Sequence, residues 1–520
     1  MAAAEHSTLF GTFLVEHLSN IAATQNVVGG ATPPAAMQAV VVIHGMGEQR
    51  PMDTIKGFIR AVWETDKVIT QNGLPHPTQV WSKPDPRTGS LELRRITTRE
   101  TIPSPEFPAG VRSDFYELYW ADLTAGSTWD EFTSWVRYLL IRPWSRVPPD
   151  VRSAWLLLAF MSLVVAIIAV IGILPAAVWE RTPWSRLADW HWILAALALA
   201  ATAGIHRMVA ATFGRVVRYT RADPDNIAAR AAVRERGLNL LRALHEGSRY
   251  KRIIIVAHSL GTILAHDLLS YFWAEREAAR TVREDSPEFD ALCALEHAAA
   301  RIDPARPASE AIRDYFAAQR RVRLTLASRS MPDPTDASAH DTRWLISDLV
   351  TLGSPLAHAE FLIASDRDDL RRRIIARELP ESPPFRETLD PEVLRCAVKS
   401  RKLPIADPHE DSRLLSFPVP PEHELWELHH AAPFAVVRWT NIFDPAKLVF
   451  FGDVIGGPLT RVFGPAIIDV DLKQLRGRQS CSFTHTQYWA LNRDRTHIDA
   501  LRAAVNLLDR ESSNPGPRGG

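Results

Sequence analysis

The sequence predicts an α/β protein built on a mostly parallel sheet with helices on both faces. Three observations lead there. Short β-branched runs recur along the chain, and the runs at 39–43 and 252–257 each give way to a helical period. Those runs are apolar without alternation, the pattern of strands covered on both faces, as parallel strands are. At 520 residues the chain exceeds one ordinary core, so insertions into the sheet, or a second domain, are expected.

The elements follow in order. Segment 1–37 lacks the basic start of a secretory signal and carries Glu5 and Glu16. Its Leu9, Phe10, Phe13, Leu14, Leu18 and Ile21 fit a short amphipathic helix. The first part of the core, 38–145, opens with the strand 39–43 and then His44-Gly45-Met46-Gly47. A helix over 54–69 follows, with Ile55, Phe58, Ile59 and Val62 on one face, then strands around 91–96 and 115–120. The second part, 215–356, holds an amphipathic helix at 226–244, the strand 252–257, charged helical material over 275–319 and a strand at 345–352. Residues 357–430 are rich in charge and proline and read as a cap. Segment 431–510 returns to the core with strands at 434–440 and 467–470 and a closing helix at 496–508. The tail 511–520 is polar and Gly/Pro-rich, the composition of a disordered end.

The rhythm breaks at 146–214. Residues 153–179 carry no charge, and a membrane-spanning helix needs about 20 apolar residues. A second apolar stretch covers 190–205, and Trp155, Trp179, Trp184, Trp190 and Trp192 stand at interfacial positions. Arg137, Arg142, Arg146 and Arg152 precede the pair and Arg207, Arg215, Arg218 and Arg221 follow it, whereas the connecting loop has only Arg181 and Arg186. The expectation is a two-span transmembrane hairpin inserted into a domain on the cytoplasmic side.

Composition excludes some classes. Sixty basic residues balance sixty acidic ones, so nothing marks a nucleic-acid partner. Cys293, Cys396 and Cys481 show neither metal spacing nor a disulfide framework. In His423-Glu424-Leu425-Trp426-Glu427 a glutamate stands where a zinc-binding helix needs histidine, so the segment reads as a solvated cap helix. No cofactor fingerprint is present, no metal site is expected, and the oligomeric state is not encoded in any pattern.

The chemistry concentrates at Ala257-His258-Ser259-Leu260-Gly261, where a buried strand passes through a small-x-Ser-x-Gly turn into a helix. That context presents a serine as a nucleophile. A serine hydroxyl is weak at neutral pH and needs a histidine base oriented by a carboxylate.

This pattern, with His44-Gly45-Met46-Gly47 after the first strand, resembles the α/β-hydrolase fold and its lipase-like members, over roughly 39–120 and 251–508. The continuation Glu48-Gln49-Arg50-Pro51 is similar to a membrane-associated branch of that superfamily. The resemblance implies an oxyanion hole from the N–H groups of Met46 and Leu260. It implies the chain order Ser, acid, His. Asp444, after the strand 434–440, is the expected acid, with Asp453 as its rival. His485, in Phe483-Thr484-His485-Thr486-Gln487-Tyr488-Trp489, is the expected base, ahead of His497. His258 is expected to be structural, and Ser354, followed by proline, is a poor nucleophile.

The expected function is therefore a membrane-anchored serine hydrolase of lipase or esterase type, acting through Ser259, His485 and Asp444 on a lipid or other apolar ester. The same residues would serve a thioesterase, amidase or acyltransferase, and a non-catalytic membrane scaffold could keep the fold.

Overall fold

A computed structural model describes residues 35–45, 50–69, 80–124, 224–331, 341–391, 413–419, 424–447 and 451–511, with scattered positions between 144 and 219. Thirteen strands are described: β1 (Ala36–Ile43), β2 (Val80–Pro84), β3 (Arg94–Glu100), β4 (Val111–Leu118), β5 (Arg252–His258), β6 (Thr281–Arg283), β7 (Ile346–Leu352), β8 (Glu387–Thr388), β9 (Arg413–Leu414), β10 (Ser416–Pro418), β11 (Leu425–Leu428), β12 (Arg438–Phe443) and β13 (Ile468–Asp471). The principal helices are α1 (Asp53–Ile59), α2 (Pro224–His245), α3 (Gly261–Glu275), α4 (Pro287–Ala300), α5 (Ser309–Ala327), α6 (Arg367–Ile375), α7 (Leu472–Arg476) and α8 (Thr496–Val505).

Eight strands form one sheet in the order β13-β12-β7-β5-β1-β4-β3-β2. The first six are parallel, and the β4-β3-β2 side is antiparallel. The expected α/β class with a mostly parallel sheet is what the molecule shows. Side-chain alternation divides its core in two. Val41, Ile43, Ile253, Ile255 and Ala257 belong to one core shared with residues of α2, α3, α4 and α5. Val40, Val42, Ile254, Val256, Val350, Leu352 and Ile442 face α1 and α8. The apolar runs of β1 and β5 are continuous because both faces of these central strands are covered.

Two expectations change, and a third lies outside the described residues. The strand placed at 434–440 starts later, at Arg438, because Pro433–Ala435 forms a 3-10 turn. There Tyr315 and Gln319 hydrogen-bond the Phe434 carbonyl, at 2.7 and 2.6 Å, which withdraws it from any ladder. Leu425–Leu428 is a strand rather than a solvated helix, paired with β6 and β10. Its exposure alternates, with Trp426 and Leu428 buried. The hairpin expected at 146–214 falls almost wholly outside the described residues, as do the segment before residue 35 and the tail. Among the described residues, no helix is long and apolar enough to cross a membrane.

Three buried histidines favour the neutral form. His245 donates from Nδ1 to the Leu241 carbonyl at 2.9 Å and accepts the Leu345 N–H at Nε2. His429 donates to the Phe385 carbonyl at 3.0 Å and accepts from the Ala431 N–H. His258 donates from Nε2 to the His485 carbonyl at 2.6 Å. Burial, above all, pushes each of the three down to about 3. Burial pushes the carboxyls of Glu117 and Glu296 the other way, up to about 7.

The sign follows from proton counting. Histidines depressed below an unfolded value near 6.5 give stability that is full above that pH and is lost as pH falls toward 3. The raised carboxyls give stability that grows as pH falls from about 7 to about 4.5, and then stops growing. Between about pH 6.5 and 4.5 the two carboxyls offset two of the three histidines. The midpoint of thermal unfolding is therefore expected to fall gently in that window and steeply below it. An unchanged midpoint down to pH 3.5 in scanning calorimetry would contradict the neutral-histidine assignment.

Candidate active site

The parallel strands all deliver their ends to one edge of the sheet, where crossover loops converge. β5 ends at His258, and Ser259 turns the chain at φ 53°, a left-handed conformation costly for a residue with a side chain. Backbone bonds hold it there: Ser259 N–H donates to the Leu352 carbonyl at 3.0 Å, and Thr262 N–H to the Ser259 carbonyl at 2.9 Å. Helix α3 then starts directly against the end of β1. A Cβ on Gly261 would lie 2.4 Å from the His44 carbonyl oxygen, so only glycine fits. A Cβ on Gly45 would lie 2.7 Å from that of Ser259. Ala257, where the usual motif has its first glycine, is accommodated in the core on the α3 side of the sheet.

His485 lies on the loop between α7 and α8. Its Nε2 is 2.8 Å from Ser259 Oγ, and its Nδ1 is 3.0 Å from both carboxylate oxygens of Asp453. With Nδ1–H directed to the carboxylate, Nε2 is left to accept the serine proton. All three side chains are buried. Two further donors fix Asp453: Ile455 N–H to Oδ1 at 2.9 Å and Tyr488 O–H to Oδ2 at 2.7 Å. Burial works to raise this carboxyl. The hydrogen bonds and the charge of His485 outweigh burial and hold it below the ordinary carboxylate value.

The acid beside His485 is thus Asp453, and the assignment of Asp444 is corrected. Asp444 is fully buried one position beyond β12, and its Oδ2 accepts from Arg476 Nη1 at 2.9 Å, Ser480 Oγ at 2.6 Å and Thr484 Oγ1 at 2.9 Å. It ties down the loop that carries the histidine. The chain then doubles back: Asp453 N–H donates to the Asp444 carbonyl at 2.8 Å. Gly452 lies at φ 92°, where a Cβ would sit 2.6 Å from the Pro445 carbonyl oxygen. Its backbone pairs with the histidine loop, Gly452 N–H to the Ser482 carbonyl at 3.0 Å and Thr484 N–H to the Gly452 carbonyl at 3.1 Å. Acid and base therefore sit on two stitched loops. A signal for Asp453 was present in its glycines. A Cβ on Gly456 would lie 2.8 Å from Asp453 Oδ2, so the sequence Gly452-Asp453-x-x-Gly456 leaves room around a buried carboxylate.

The remaining candidates fall elsewhere. His497 lies on α8 and bonds the Ala490 carbonyl through Nε2 at 2.8 Å. Ser354 shares a hydrogen bond with Thr262 at 2.7 Å and accepts from the Leu356 N–H. The Leu260 N–H, at the head of α3, donates to no acceptor among the described residues. It stands where the positive end of a 15-residue helix adds to its pull on an anion.

Met46 lies outside the described residues, but the chain on both sides of its loop is fixed. His44 donates from Nδ1 to the Gly45 carbonyl at 2.8 Å, accepts the Trp120 N–H at Nε2, and stacks on the Trp120 indole. Beyond the loop, Met52 N–H donates to Glu117 Oε2 at 2.7 Å. Among the described residues, no group of three or more His, Cys, Asp or Glu side chains is placed to hold a metal ion.

Gly353 gives a direct test of this packing. At φ 54°, a Cβ there would lie 2.6 Å from Asp453 Oδ2 and 3.1 Å from His485 Nδ1. A side chain there would be strained by its left-handed backbone and would press on both groups at once, so Gly353→Ala is expected to lower the midpoint of thermal unfolding by several degrees in scanning calorimetry. An unchanged midpoint would contradict the packing. No family model, curated protein or solved structure matches this chain.

Proposed function

We propose that this protein is a serine hydrolase that cleaves an ester through an acyl-enzyme. One observation carries the reading: Ser259, His485 and Asp453 form a continuous hydrogen-bonded chain at the end of a parallel sheet. Ser259 Oγ attacks the ester carbonyl as its proton passes to His485 Nε2. Asp453 stabilises the imidazolium without taking its proton. The Leu260 N–H, with that of Met46, holds the oxyanion. His485 then protonates the departing alcohol, and water, activated by the same imidazole, releases the acid. The strained φ of Ser259 supports turnover over a scaffold role, because strain of this kind is concentrated at functional sites.

We further propose a membrane-attached protein acting on a lipid or other apolar ester, with a two-span hairpin over 146–214 and the core on the cytoplasmic side. The support is the uncharged run 153–179 and an exposed apolar stripe at Leu156, Phe160, Leu163 and Ile167. These four lie at helical positions with spacings that align them on one face.

One experiment addresses both proposals. Membranes from cells expressing the protein are washed in alkaline carbonate and treated with a fluorescent fluorophosphonate. Wild type is expected to be labelled in the pellet and Ser259→Ala to be unlabelled. Unlabelled wild type would overturn the mechanism, whereas labelled protein in the supernatant would overturn only the anchor.

A further inference from the structure

Asp453 is a buried anion, and among the described residues neither lysine nor arginine forms an ion pair with it. Apart from His485, its donors are neutral: the Ile455 N–H and the Tyr488 hydroxyl. We infer that Tyr488 is a positioning residue that fixes the Asp453 carboxylate and tempers the basicity of His485. The inference rests on the proposed triad and adds a fourth member to it.

The geometry of Tyr488 supports this role on three counts. Its ring is buried beside Gly353, whose added Cβ would lie 2.7 Å from Tyr488 Cε2, and it contacts the His258 ring at 5.9 Å between centroids. The ring therefore has no room to swing. Its hydroxyl donates to Asp453 Oδ2 at 2.7 Å, which sets the direction of its proton. Burial first, and then the charge of Asp453, keep the phenol protonated far above neutral pH, so it donates throughout turnover.

Loop architecture makes the pairing mechanical. Tyr488 lies three residues after His485, across a turn in which Gln487 N–H donates to the Thr484 carbonyl at 2.8 Å. Thr484 is also held by Asp444. The base and the group that steadies its acid thus ride on one short segment, anchored at both ends of the turn.

The electrostatic consequence has a definite sign. A phenol donor disperses part of the negative charge of a carboxylate whose two oxygens both face the His485 Nδ1 proton. Removing it concentrates charge on the carboxylate, which then stabilises imidazolium more strongly. His485 becomes more basic, and activity that needs neutral imidazole appears at higher pH.

The test compares wild type and Tyr488→Phe, which keeps the ring, by the pH profile of kcat/KM on a p-nitrophenyl ester. A hydrogen bond to a charged group is worth enough to move the acid limb upward by roughly half to one pH unit, with kcat about tenfold lower. The low-field proton resonance of His485 Nδ1–H is expected to shift in the same variant. If Tyr488→Phe does not fold, site-specific 3-fluorotyrosine at 488, nearly the same shape but a stronger donor, is expected to move the acid limb down. An active wild type whose acid limb and resonance are unmoved by either replacement would overturn the role of Tyr488 and leave the hydrolase reading standing. A wild type without hydrolysis or fluorophosphonate labelling would overturn both.

Discussion

The structure around the candidate site is organised by one buried hydrogen bond, from His485 Nδ1 to Asp453. An unpaired carboxylate in a dry interior is costly, so the fold has to surround it with donors or let it protonate. The hydrogen bonds to Asp453 meet that demand with neutral groups as well as with the histidine. Everything nearby is arranged to let them approach. Gly353 and Gly456 give up side chains that would strike the carboxylate, and Gly452 takes a left-handed turn that brings the acid loop alongside the histidine loop.

The sheet supplies the rigidity this requires. β5 presents Ser259, β7 runs into Gly353, and β12 leads into Asp444, and these three are adjacent in the strand order. Backbone bonds continue past the formal strand ends, from Ser259 N–H to Leu352 and from Gly353 N–H to the Ile442 carbonyl at 3.0 Å. Placement of the site thus follows from ladder register, and its long loops need only deliver two side chains. Asp444 does this from behind, through Thr484, Ser480 and Arg476 on one side and its own carbonyl on the other.

What could be read from the sequence was what is encoded locally. The strand–Ser259–helix turn is specified by ten consecutive residues, and β1, β5, β7 and α8 by their apolar patterns. All of these lie within a few residues of their expected places. His485 could be found because its loop precedes the last helix. The carboxylate was harder, because Asp444 and Asp453 both follow β12 and periodicity says nothing about a chain that doubles back between them. Only steric arithmetic around Gly452 and Gly456 distinguishes the two, and that arithmetic needs coordinates. The segment at 425–428 misled for a related reason: four residues are too few to separate a strand from a helix, and pairing with β6, about 140 residues earlier, decides the matter.

On the proposed mechanism Asp453 orients the base and Asp444 tethers its loop, and parallel rates of Asp453→Asn and Asp444→Asn on one activated ester separate the two roles. Asparagine at 453 would present an amide to His485 and favour the wrong tautomer, so kcat is expected to fall by about 10⁴. Asparagine at 444 keeps an acceptor for Thr484 and Ser480, so its kcat is expected to stay within about tenfold of wild type while thermal stability drops. The reverse order, with Asp444→Asn nearly inactive and Asp453→Asn nearly unaffected, would make Asp444 the partner of His485 in turnover and overturn the role of Asp453.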